Sequence, residues 1–433
     1  MKTFNQLKHL VFLLFHSHSI GFYKGHEYLN DSQLNVIASD LRSVNNDEVI
    51  DDYEKKFASY IGNGKCVSFA AARMAFYALM KSLSIGKGSE VIITGFTCSV
   101  MANAVIRTGA KIIYADIDPN NYGSSYVDIK SKISSKTKMI VAQHTFGVPC
   151  DIKNIVNLCD KHNIFLLEDC ALTFGSKFEN KNLGNFGDAA IFSTDETKPI
   201  NTIVGGLIYS KKDSLINKLK QVCKDSLDLN KDHQIRIHKK FLFSRKYYRP
   251  NKYALGRILN SIYSFFNKSL FGNKRPITLD LDSTCKIDEK SCAYPYPAKL
   301  PGFIARIGIF ELENWNKEKK LRSINFSNYK ELFVKKKIAS IYDNMENEII
   351  PLRFLFENHD THKNTKLHLN NFFIDDRWFN SPLIGTKENL TLFGYKLGDC
   401  PVAERVCQNI INLPCNLEDV YAKKFIEDLS ECI

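Results

Sequence analysis

The chain has 433 residues, of which 44% are hydrophobic and 24% are charged, an ordinary globular composition with enough length for a large core and two or three domains. The formal net charge of +12 and the isoelectric point near 9.0 favour anionic partners, but charge does not choose between a nucleotide diphosphate, a membrane surface and nucleic acid. The apolar run at residues 10–15 is too short to cross a membrane and no small-residue cleavage site follows it, so we expect no signal peptide, no transmembrane helix and a cytoplasmic location.

The twelve cysteines are scattered along the chain. No CxxC pair is present, and no Cys/His set has the spacing that zinc sites require. We therefore expect mostly reduced, partly buried thiols and no metal site.

Residues 31–62 are predicted to form two amphipathic helices, after which short apolar runs alternate with helical stretches as far as about residue 220. Runs typical of strands buried on both faces of a parallel sheet lie at residues 91–93, 112–114, 139–142 and 164–167. The alternation predicts a layered α/β domain. Its functional edge should lie at the carboxyl ends of the strands, where residues 96–98, His144 and Asp169 fall.

Two predicted strand ends carry groups that suit a phosphorylated cofactor. The strand at 65–69 runs through small residues into a helix that begins near Ala72 and Arg73, where free backbone N–H groups and the positive end of the helix can bind a phosphate. A later strand ends in Glu168 and Asp169. Adjacent strand residues point to opposite faces, so we assign Asp169 to the site and a structural role to Glu168.

Lys198 stands alone in the polar segment 193–206, between two predicted strands, and Pro199 after it disfavours helix. A lysine on such a turn suits a covalent link to pyridoxal phosphate, with Ser193 as a phosphate contact. Asp169 against the pyridine nitrogen would keep that nitrogen protonated and make the ring an electron sink. Taken alone, Lys198 is more readily interpreted as a solvated surface lysine.

The order of these pieces resembles the DegT/StrS-type sugar-nucleotide aminotransferases, which are fold-type I pyridoxal phosphate enzymes. The resemblance covers residues 35–430 and continues in motifs at residues 88–97, 109–118, 143–147, 183–188, 378–382 and 400–405. It implies an α/β fold: a large domain like that of aspartate aminotransferase, with a mostly parallel central sheet, and a small α+β C-terminal domain. It also implies a homodimer that transfers an amino group from an amino acid, with glutamate the expected donor, to a keto-sugar nucleotide. The product would feed surface polysaccharide assembly, with no nucleic acid as partner.

The resemblance also implies roles for particular residues. Lys198 would hold the cofactor and act as the base and acid of the proton shift, and Asp169 would anchor the pyridine nitrogen. The other predicted cofactor-binding residues are Ser193, Ala72, Arg73, Cys98 and His144.

Several positions depart from the family pattern. Cys98 replaces a side chain that is often aromatic and stacks on the ring, so either Cys98 packs near the cofactor or Phe96 helps to cover it. Arg73 replaces a threonine and could pair with the phosphate, and His144 is either catalytic or satisfied by local hydrogen bonds. Leu172, Pro297 and Lys299 stand where the family carries glutamine, asparagine and arginine, the last two contributed by the neighbouring subunit.

The chain divides into an N-terminal extension (1–30), the cofactor-binding domain (31–225), a divergent basic insertion (226–298) and the C-terminal domain (299–433). Residues 229–275 contain one acidic residue, Asp232. Their basic residues include Lys239, Lys240, Arg245, Lys246, Arg249, Lys252, Arg257, Lys268, Lys274 and Arg275. A predicted amphipathic helix in this insertion places on one face Leu255, Ile258, Leu259, Ile262, Phe265, Phe266 and Leu270. Residues 239–275 either contact an anionic membrane surface peripherally, at the inner face of the membrane, or pack against the enzyme body or its dimer mate.

In the C-terminal domain the sequence predicts a long helix from residue 303 with charges continuing to 337, strands at 340–342, 349–356 and 367–374, and a helix at 402–411.

Two other functions remain open. A cofactor-dependent sugar dehydratase of the same family would carry histidine at the lysine position, so Lys198 argues against it. A catalytically relaxed, membrane-associated scaffold in glycan assembly is suggested by Cys98, Leu172, Pro297 and the basic segment.

Overall fold

The computed structural model describes residues 18–43, 46–271, 294–343, 345, 348–358, 367, 369–386 and 390–433, with Phe266 the only described side chain within 264–271. The predicted features at residues 10–15, Lys274 and Arg275 lie outside this part, as do the side chains of Phe265, Lys268 and Leu270. The strands are β1 (His18–Ile20), β2 (Lys65–Phe69), β3 (Glu90–Thr94), β4 (Thr97–Cys98), β5 (Lys111–Ala115), β6 (Thr137–Gln143), β7 (Phe165–Asp169), β8 (Lys177–Phe178), β9 (Lys181–Asn182), β10 (Ala189–Ser193), β11 (Gly206–Ser210), β12 (Arg353–Glu357), β13 (Phe372–Ile374), β14 (Leu383–Ile384) and β15 (Ile410–Pro414).

The helices are α1 (Asp31–Arg42), α2 (Asp47–Ile61), α3 (Ala72–Ser82), α4 (Ser99–Thr108), α5 (Tyr126–Lys132), α6 (Ile152–His162), α7 (Asp213–Asp225), α8 (Lys231–Tyr247), α9 (Tyr253–Phe271), α10 (Gly302–Lys336), α11 (Pro401–Asn409) and α12 (Asp419–Cys432). Helices α1 and α2 lie within the predicted range 31–62, and α3 begins at Ala72 as predicted. None of the helices in the described part is both long enough and apolar enough to cross a membrane.

The central sheet has seven strands in the order β2-β11-β10-β7-β6-β3-β5. The pairs β10–β7, β7–β6, β6–β3 and β3–β5 are parallel, whereas β11 runs antiparallel to both β10 and β2. Every residue of β3 and β11 is buried, as expected for strands covered on both faces by helices. The mostly parallel α/β sheet predicted from the sequence is confirmed.

The sheet register brings the predicted site to one edge. Asp169, the last residue of β7, is paired with Gln143 at the end of β6 and with Ile191 in β10. The loop that contains Lys198 then joins β10 to β11. Because the parallel strands end together, the carboxylate and the lysine loop share the same edge.

A second, smaller core belongs to the C-terminal region. The antiparallel pair β12–β15 packs with the end of α10 and with α12, and the buried aromatic rings of Tyr329, Phe354 and Phe425 lie between them. The N-terminal strand β1 pairs in parallel with β13, so residues before the first helix join this region.

Four predicted elements of the C-terminal region are wrong in type or extent. Residues 340–342 form a turn, because the N–H and hydroxyl of Ser340 donate to the carboxylate of Asp343. The strand predicted at 349–356 begins only at Arg353, and the one predicted at 367–374 only at Phe372. The predicted helix at 402–411 ends at Asn409, since the apolar run that follows enters the buried strand β15.

Within the described residues of the insertion, 226–271 and 294–298, there are two helices, of which α9 was predicted and α8 was not. The start of α9 is anchored by Asp375, which accepts from the Tyr253 hydroxyl at 3.3 Å and lies 3.8 Å from Arg257. Further along, Ile262 and Phe266 are 48% and 57% exposed. This part of the predicted apolar face therefore does not pack against the body of the same chain.

Candidate active site

Lys198 lies between a carboxylate and an aromatic ring. Its Nζ atom is 3.7 Å from Oδ2 of Asp195 and 5.0 Å from the ring centroid of Trp378, and its side chain is only 11% exposed. Asp195 accepts the N–H and hydroxyl of Thr197 at 2.8 and 2.6 Å and the hydroxyl of Ser193 at 3.2 Å. Desolvation raises the pKa of Asp195, but the charge of Lys198 and these hydrogen bonds lower the pKa by more. Lys198 is thus not a solvated surface lysine, and Asp195 is its ionised neighbour.

Asp169 is a buried carboxylate at the end of β7, 4% exposed. One of its oxygens accepts the N–H of Ala171 at 2.9 Å. Burial raises the pKa of Asp169, while the Ala171 hydrogen bond and the positive charge of Lys198 oppose this rise only in part. Lys198 and Asp169 therefore act on each other electrostatically, and a further positive group beside Asp169 would stabilise its charge.

Glu168 points to the other side of β7 and has the structural role that strand geometry predicts. Its oxygens accept three backbone N–H groups at 2.6–2.8 Å, those of Gly184, Phe186 and Gly187. The Nε2 atom of His144 lies 3.1 Å from the same carboxylate, and its Nδ1 accepts the N–H of Cys150 at 3.2 Å. Both nitrogens of His144 are therefore engaged by the protein, and its contact with a cofactor stays a prediction.

The same region holds a group that the spacing along the chain does not reveal. His144, Glu168 and Cys170 are all buried and place atoms capable of metal binding within 4.8 Å of one another. Because His144 and Glu168 already use these atoms in hydrogen bonds, we interpret the group as structural.

The start of α3 offers backbone donors where the phosphate was predicted to bind. Ala71 precedes the helix and makes no side-chain capping hydrogen bond. Gly206 packs so closely against the helix start that a Cβ atom on Gly206 would lie 2.2 Å from Cα of Ala72. The guanidinium of Arg73 donates to the hydroxyl of Tyr294 at 2.8 Å. The helix start fits a phosphate. The phosphate contacts of Arg73 and of Ser193, whose hydroxyl faces Asp195, stay predictions.

Cys98 lies beside the predicted cofactor-binding residues. Burial raises the pKa of its thiol, and the charges of Lys198 and Arg73 act in the opposite direction, so both cations are near it. Phe96 is fully buried and packs on Phe379, with ring centroids 4.9 Å apart. Cys98 is thus the more exposed of the two, while Phe96 belongs to the wall behind it.

Trp378 and the pair Glu196–Lys240 are site residues that the sequence reasoning missed. Trp378 belonged to one of the recognised motifs without an assigned role, and its ring packs against Phe22 at 5.2 Å and Phe146 at 5.5 Å. Glu196 lies two residues before Lys198, and Lys240 reaches it from the unpredicted helix α8. No local signal connected residues so far apart in the chain.

Taken together, these groups fit pyridoxal phosphate. Three groups lie at one sheet edge. They are the amine of Lys198, the carboxylate of Asp169, whose burial is only partly offset by positive charge, and the helix start at Ala72, which has no side-chain cap. They match the carbonyl carbon, the ring nitrogen and the phosphate of that cofactor.

The sheet order and the lysine loop define an aspartate-aminotransferase-like fold of type I. The DegT/DnrJ/EryC1/StrS aminotransferase family matches residues 31–247, half of the chain. The chain belongs to this family.

Among curated relatives, the GDP-perosamine synthase of Vibrio cholerae is 35% identical over 169 residues, which are 39% of this chain and 46% of that protein. The dTDP-3-amino-3,6-dideoxy-alpha-D-galactopyranose transaminase of Aneurinibacillus thermoaerophilus is 36% identical over 144 residues, which are 33% of this chain and 40% of that protein. The chain thus spans about half the length of the curated relatives it matches.

Solved structures resemble the whole fold at low sequence identity. PseC of Helicobacter pylori, an aminotransferase involved in the biosynthesis of pseudoaminic acid, has a TM-score of 0.68 at 17% identity and covers 95% of this chain and 98% of its own. The PMP form of the putative sugar aminotransferase Spr1654 of Streptococcus pneumoniae has a TM-score of 0.68 at 17% identity. The match covers 93% of this chain and 95% of that structure. These likenesses establish the fold of both the large and the C-terminal regions.

Proposed function

We propose that this protein is a pyridoxal phosphate-dependent aminotransferase that moves an amino group from an amino acid, glutamate as the expected donor, to a keto-sugar nucleotide. The product would serve surface polysaccharide or related glycan biosynthesis. The observation that carries the proposal is the pairing of Lys198, buried against Trp378, with Asp169 at one sheet edge. The sugar substrate class is supported by the names of the relatives, a GDP-perosamine synthase and a dTDP-amino-sugar transaminase.

The residues of this chain have separate tasks in the proposed reaction. When bound, pyridoxal phosphate supplies an electron sink for the bonds at the amino-bearing carbon. Lys198 would hold the cofactor, and its Nζ atom would take and return the proton on one face. Asp169 keeps a proton on the pyridine nitrogen, and the backbone N–H groups at the start of α3 hold the phosphate.

The cofactor assignment can be tested by spectroscopy. Purified protein supplied with pyridoxal phosphate should absorb roughly between 330 and 430 nm, and borohydride should fix the cofactor covalently. Peptide mapping should find the adduct on Lys198, and the Lys198→Ala variant should give none. An adduct on another lysine, or an unchanged yield in the variant, would refute the assignment.

A second experiment tests the substrate class. The holoenzyme should convert glutamate to 2-oxoglutarate only when a keto-sugar linked to GDP, dTDP or UDP is present, and mass spectrometry should detect the amino-sugar nucleotide. Borohydride fixation on Lys198 without turnover of any of these sugars would support the cofactor assignment and contradict the proposed substrate class.

We also propose that two chains pair, because the family resemblance implies that residues at positions 297 and 299 act in the neighbouring subunit. Tyr296, beside them, donates to the backbone carbonyl of Arg73 at 3.1 Å within the same chain, and this contact with the start of α3 supports a role for the segment near the proposed phosphate site. Sedimentation equilibrium should give twice the chain mass. A monomer with full turnover would reject the pairing.

A third proposal concerns α9, which we place on the anionic inner face of the cytoplasmic membrane. Leu255, Ile262 and Phe266 are 47%, 48% and 57% exposed on a segment whose surrounding charges are almost all basic. Sedimentation with phosphatidylglycerol vesicles at low salt should pull down the protein, and Ile262→Glu with Phe266→Glu should abolish this. No binding by the unaltered protein would reject membrane contact, and dissociation of the dimer by these substitutions would assign the face to the dimer mate.

A further inference from the structure

A cavity of about 370 Å³ lies apart from Lys198, Asp169 and Trp378, none of which lines it. Its walls come from four stretches: residues 19–28, 248–253, 314–321 and 416–421. All four lie outside the region that the family matches. The cavity is thus built by the N-terminal segment, the junction of α8 and α9, one face of α10 and the start of α12, and its volume is in the range of small-molecule sites.

Aromatic rings form much of the wall. Five tyrosines line the cavity: Tyr23, Tyr28, Tyr248, Tyr253 and Tyr421. Tyr23 and Tyr248 stack with ring centroids 5.3 Å apart, and Tyr253 packs on Tyr248 at 5.5 Å. Tyr248 and Tyr253 are only 3% and 2% exposed, so they support the wall from behind. The tyrosines of the lining that keep exposed surface are Tyr23, Tyr28 and Tyr421.

The charged groups of the cavity balance. Its three cations are Lys24, Arg249 and Lys317, and its three carboxylates are Glu27, Glu318 and Glu418. Lys24 and Glu318 form an ion pair at 2.7 Å. Burial and the charge of Glu418 raise the pKa of Glu27, and the nearby cations Arg249, Lys24 and Lys317 oppose this rise only in part. The lining therefore carries no formal net charge in a chain of +12, and it offers no excess of positive charge to a diphosphate.

Polar groups without partners stand in the same wall. Ser19 Oγ, Tyr248 Oη and Arg249 Nε are buried and have no hydrogen-bond partner among the described residues. These three atoms are closed off from the cavity itself, so the hydrogen bonds that the lining offers to a ligand come from its other polar groups. The amide side chains of Asn314 and Asn416 add both donors and acceptors to the lining.

We propose that this cavity binds a neutral saccharide unit. The tyrosine faces cover the apolar side of a sugar ring, and the paired charges and amides exchange hydrogen bonds with hydroxyl groups, which both donate and accept. A purely apolar ligand would leave the polar lining unpaired, and a nucleotide would meet no net positive charge. This proposal does not rest on the proposed aminotransferase activity, because its test measures binding and not turnover.

The test is binding of simple sugars to the full-length protein. Saturation-transfer NMR with methyl α-glucopyranoside, methyl α-mannopyranoside and N-acetylglucosamine should show transfer to at least one sugar, and titration should give its Kd. Asn314→Ala and Tyr421→Ala should each weaken that Kd by about fivefold, the usual effect of one lost hydrogen bond or ring contact. Asn316→Ala, an exposed position on the same helix outside the cavity, should leave the Kd unchanged.

Thermal unfolding of each variant checks that the substitutions leave the fold intact, and both altered positions are only partly buried. Absence of transfer to all three sugars would overturn the proposal. So would equal Kd values in all variants, or saturable binding of glutamate or UDP at the cavity in place of the sugars.

Discussion

Lys240 Nζ lies 3.1 Å from Oε2 of Glu196, and this ion pair joins helix α8 of the insertion to the loop that carries Lys198. The two side chains are only 9% and 17% exposed. Lys240 also lies over the rings of Tyr23 and Tyr248, at 5.6 and 5.8 Å from their centroids. The basic insertion is therefore a support of the candidate active site as well as a surface feature.

Replacing Lys240 by methionine should destabilise the protein, because it leaves the carboxylate of Glu196 in a largely buried place without its partner. Removing one partner of a buried pair costs about 3 kcal/mol of the free energy of unfolding. Urea denaturation should show this loss, and Glu196→Gln in the same chain should recover part of it. Lys239→Met, at the exposed neighbouring position, is the matched control and should change little. Equal losses in the two single variants would contradict a specific pair.

Trp378→Phe should reduce turnover of the proposed enzyme more than it reduces stability. The Nζ atom of Lys198 lies 5.0 Å from the tryptophan ring, and phenylalanine attracts a cation less strongly. A loss of about 1 kcal/mol in the positioning of the amine corresponds to about a fivefold lower kcat. The other tryptophan, Trp315, is buried against Phe174 in the core. Trp315→Phe should therefore lower the melting temperature and leave kcat nearly unchanged, and the reverse pattern would contradict the role of Trp378.

Asp169→Asn should separate stability from activity. Burial raises the pKa of Asp169, so a neutral amide removes a desolvation cost, and its oxygen can still accept the N–H of Ala171. The protein without cofactor should be at least as stable as the unaltered chain. Turnover should fall by at least about a hundredfold because the charge on the pyridine nitrogen is no longer matched.

Glu168→Gln is the matched variant for comparison with Asp169→Asn. It replaces a carboxylate that accepts three backbone N–H groups by a neutral amide, which is a weaker acceptor. It should cost about 2 kcal/mol of stability. The same effects of both variants on unfolding and on turnover would contradict the assignment of a structural role to Glu168 and a cofactor role to Asp169.

Glu54 should make stability depend on pH. Its carboxylate accepts the N–H and hydroxyl of Ser68 at 2.6 and 2.7 Å, and burial, which outweighs these bonds, raises its pKa from 4.5 to about 7. Between these values the folded state binds a proton that the unfolded state has lost. The free energy of unfolding should therefore fall as pH rises from 4.5 to about 7, by up to about 3 kcal/mol, and then level off.

Glu54→Gln keeps the oxygen acceptor and removes the titration. The variant should match the unaltered chain at acid pH and exceed it in stability above about pH 7. Urea denaturation across this range measures the difference, and a difference independent of pH would contradict the raised pKa of Glu54.

The sequence predicted most of the central sheet because its signals are local. Short apolar runs between helical stretches are typical of buried parallel strands. Strands β3, β5, β6 and β7 lie where those runs predicted them. The separation of Glu168 from Asp169 also followed from the alternation of side chains along a strand. The C-terminal strands were harder to place, because each is short and its ends depend on the partner strand.

The sequence by itself determined the fold class, the family and the two residues on which the proposed chemistry depends, Lys198 and Asp169. Only the tertiary structure decided that Trp378 faces the lysine, that Lys240 of the insertion contacts Glu196, and that four distant stretches line a cavity away from the candidate active site. The physical reason is that strand and helix patterns are set by neighbouring residues, whereas these contacts depend on how separate elements pack and leave no periodic trace in the chain.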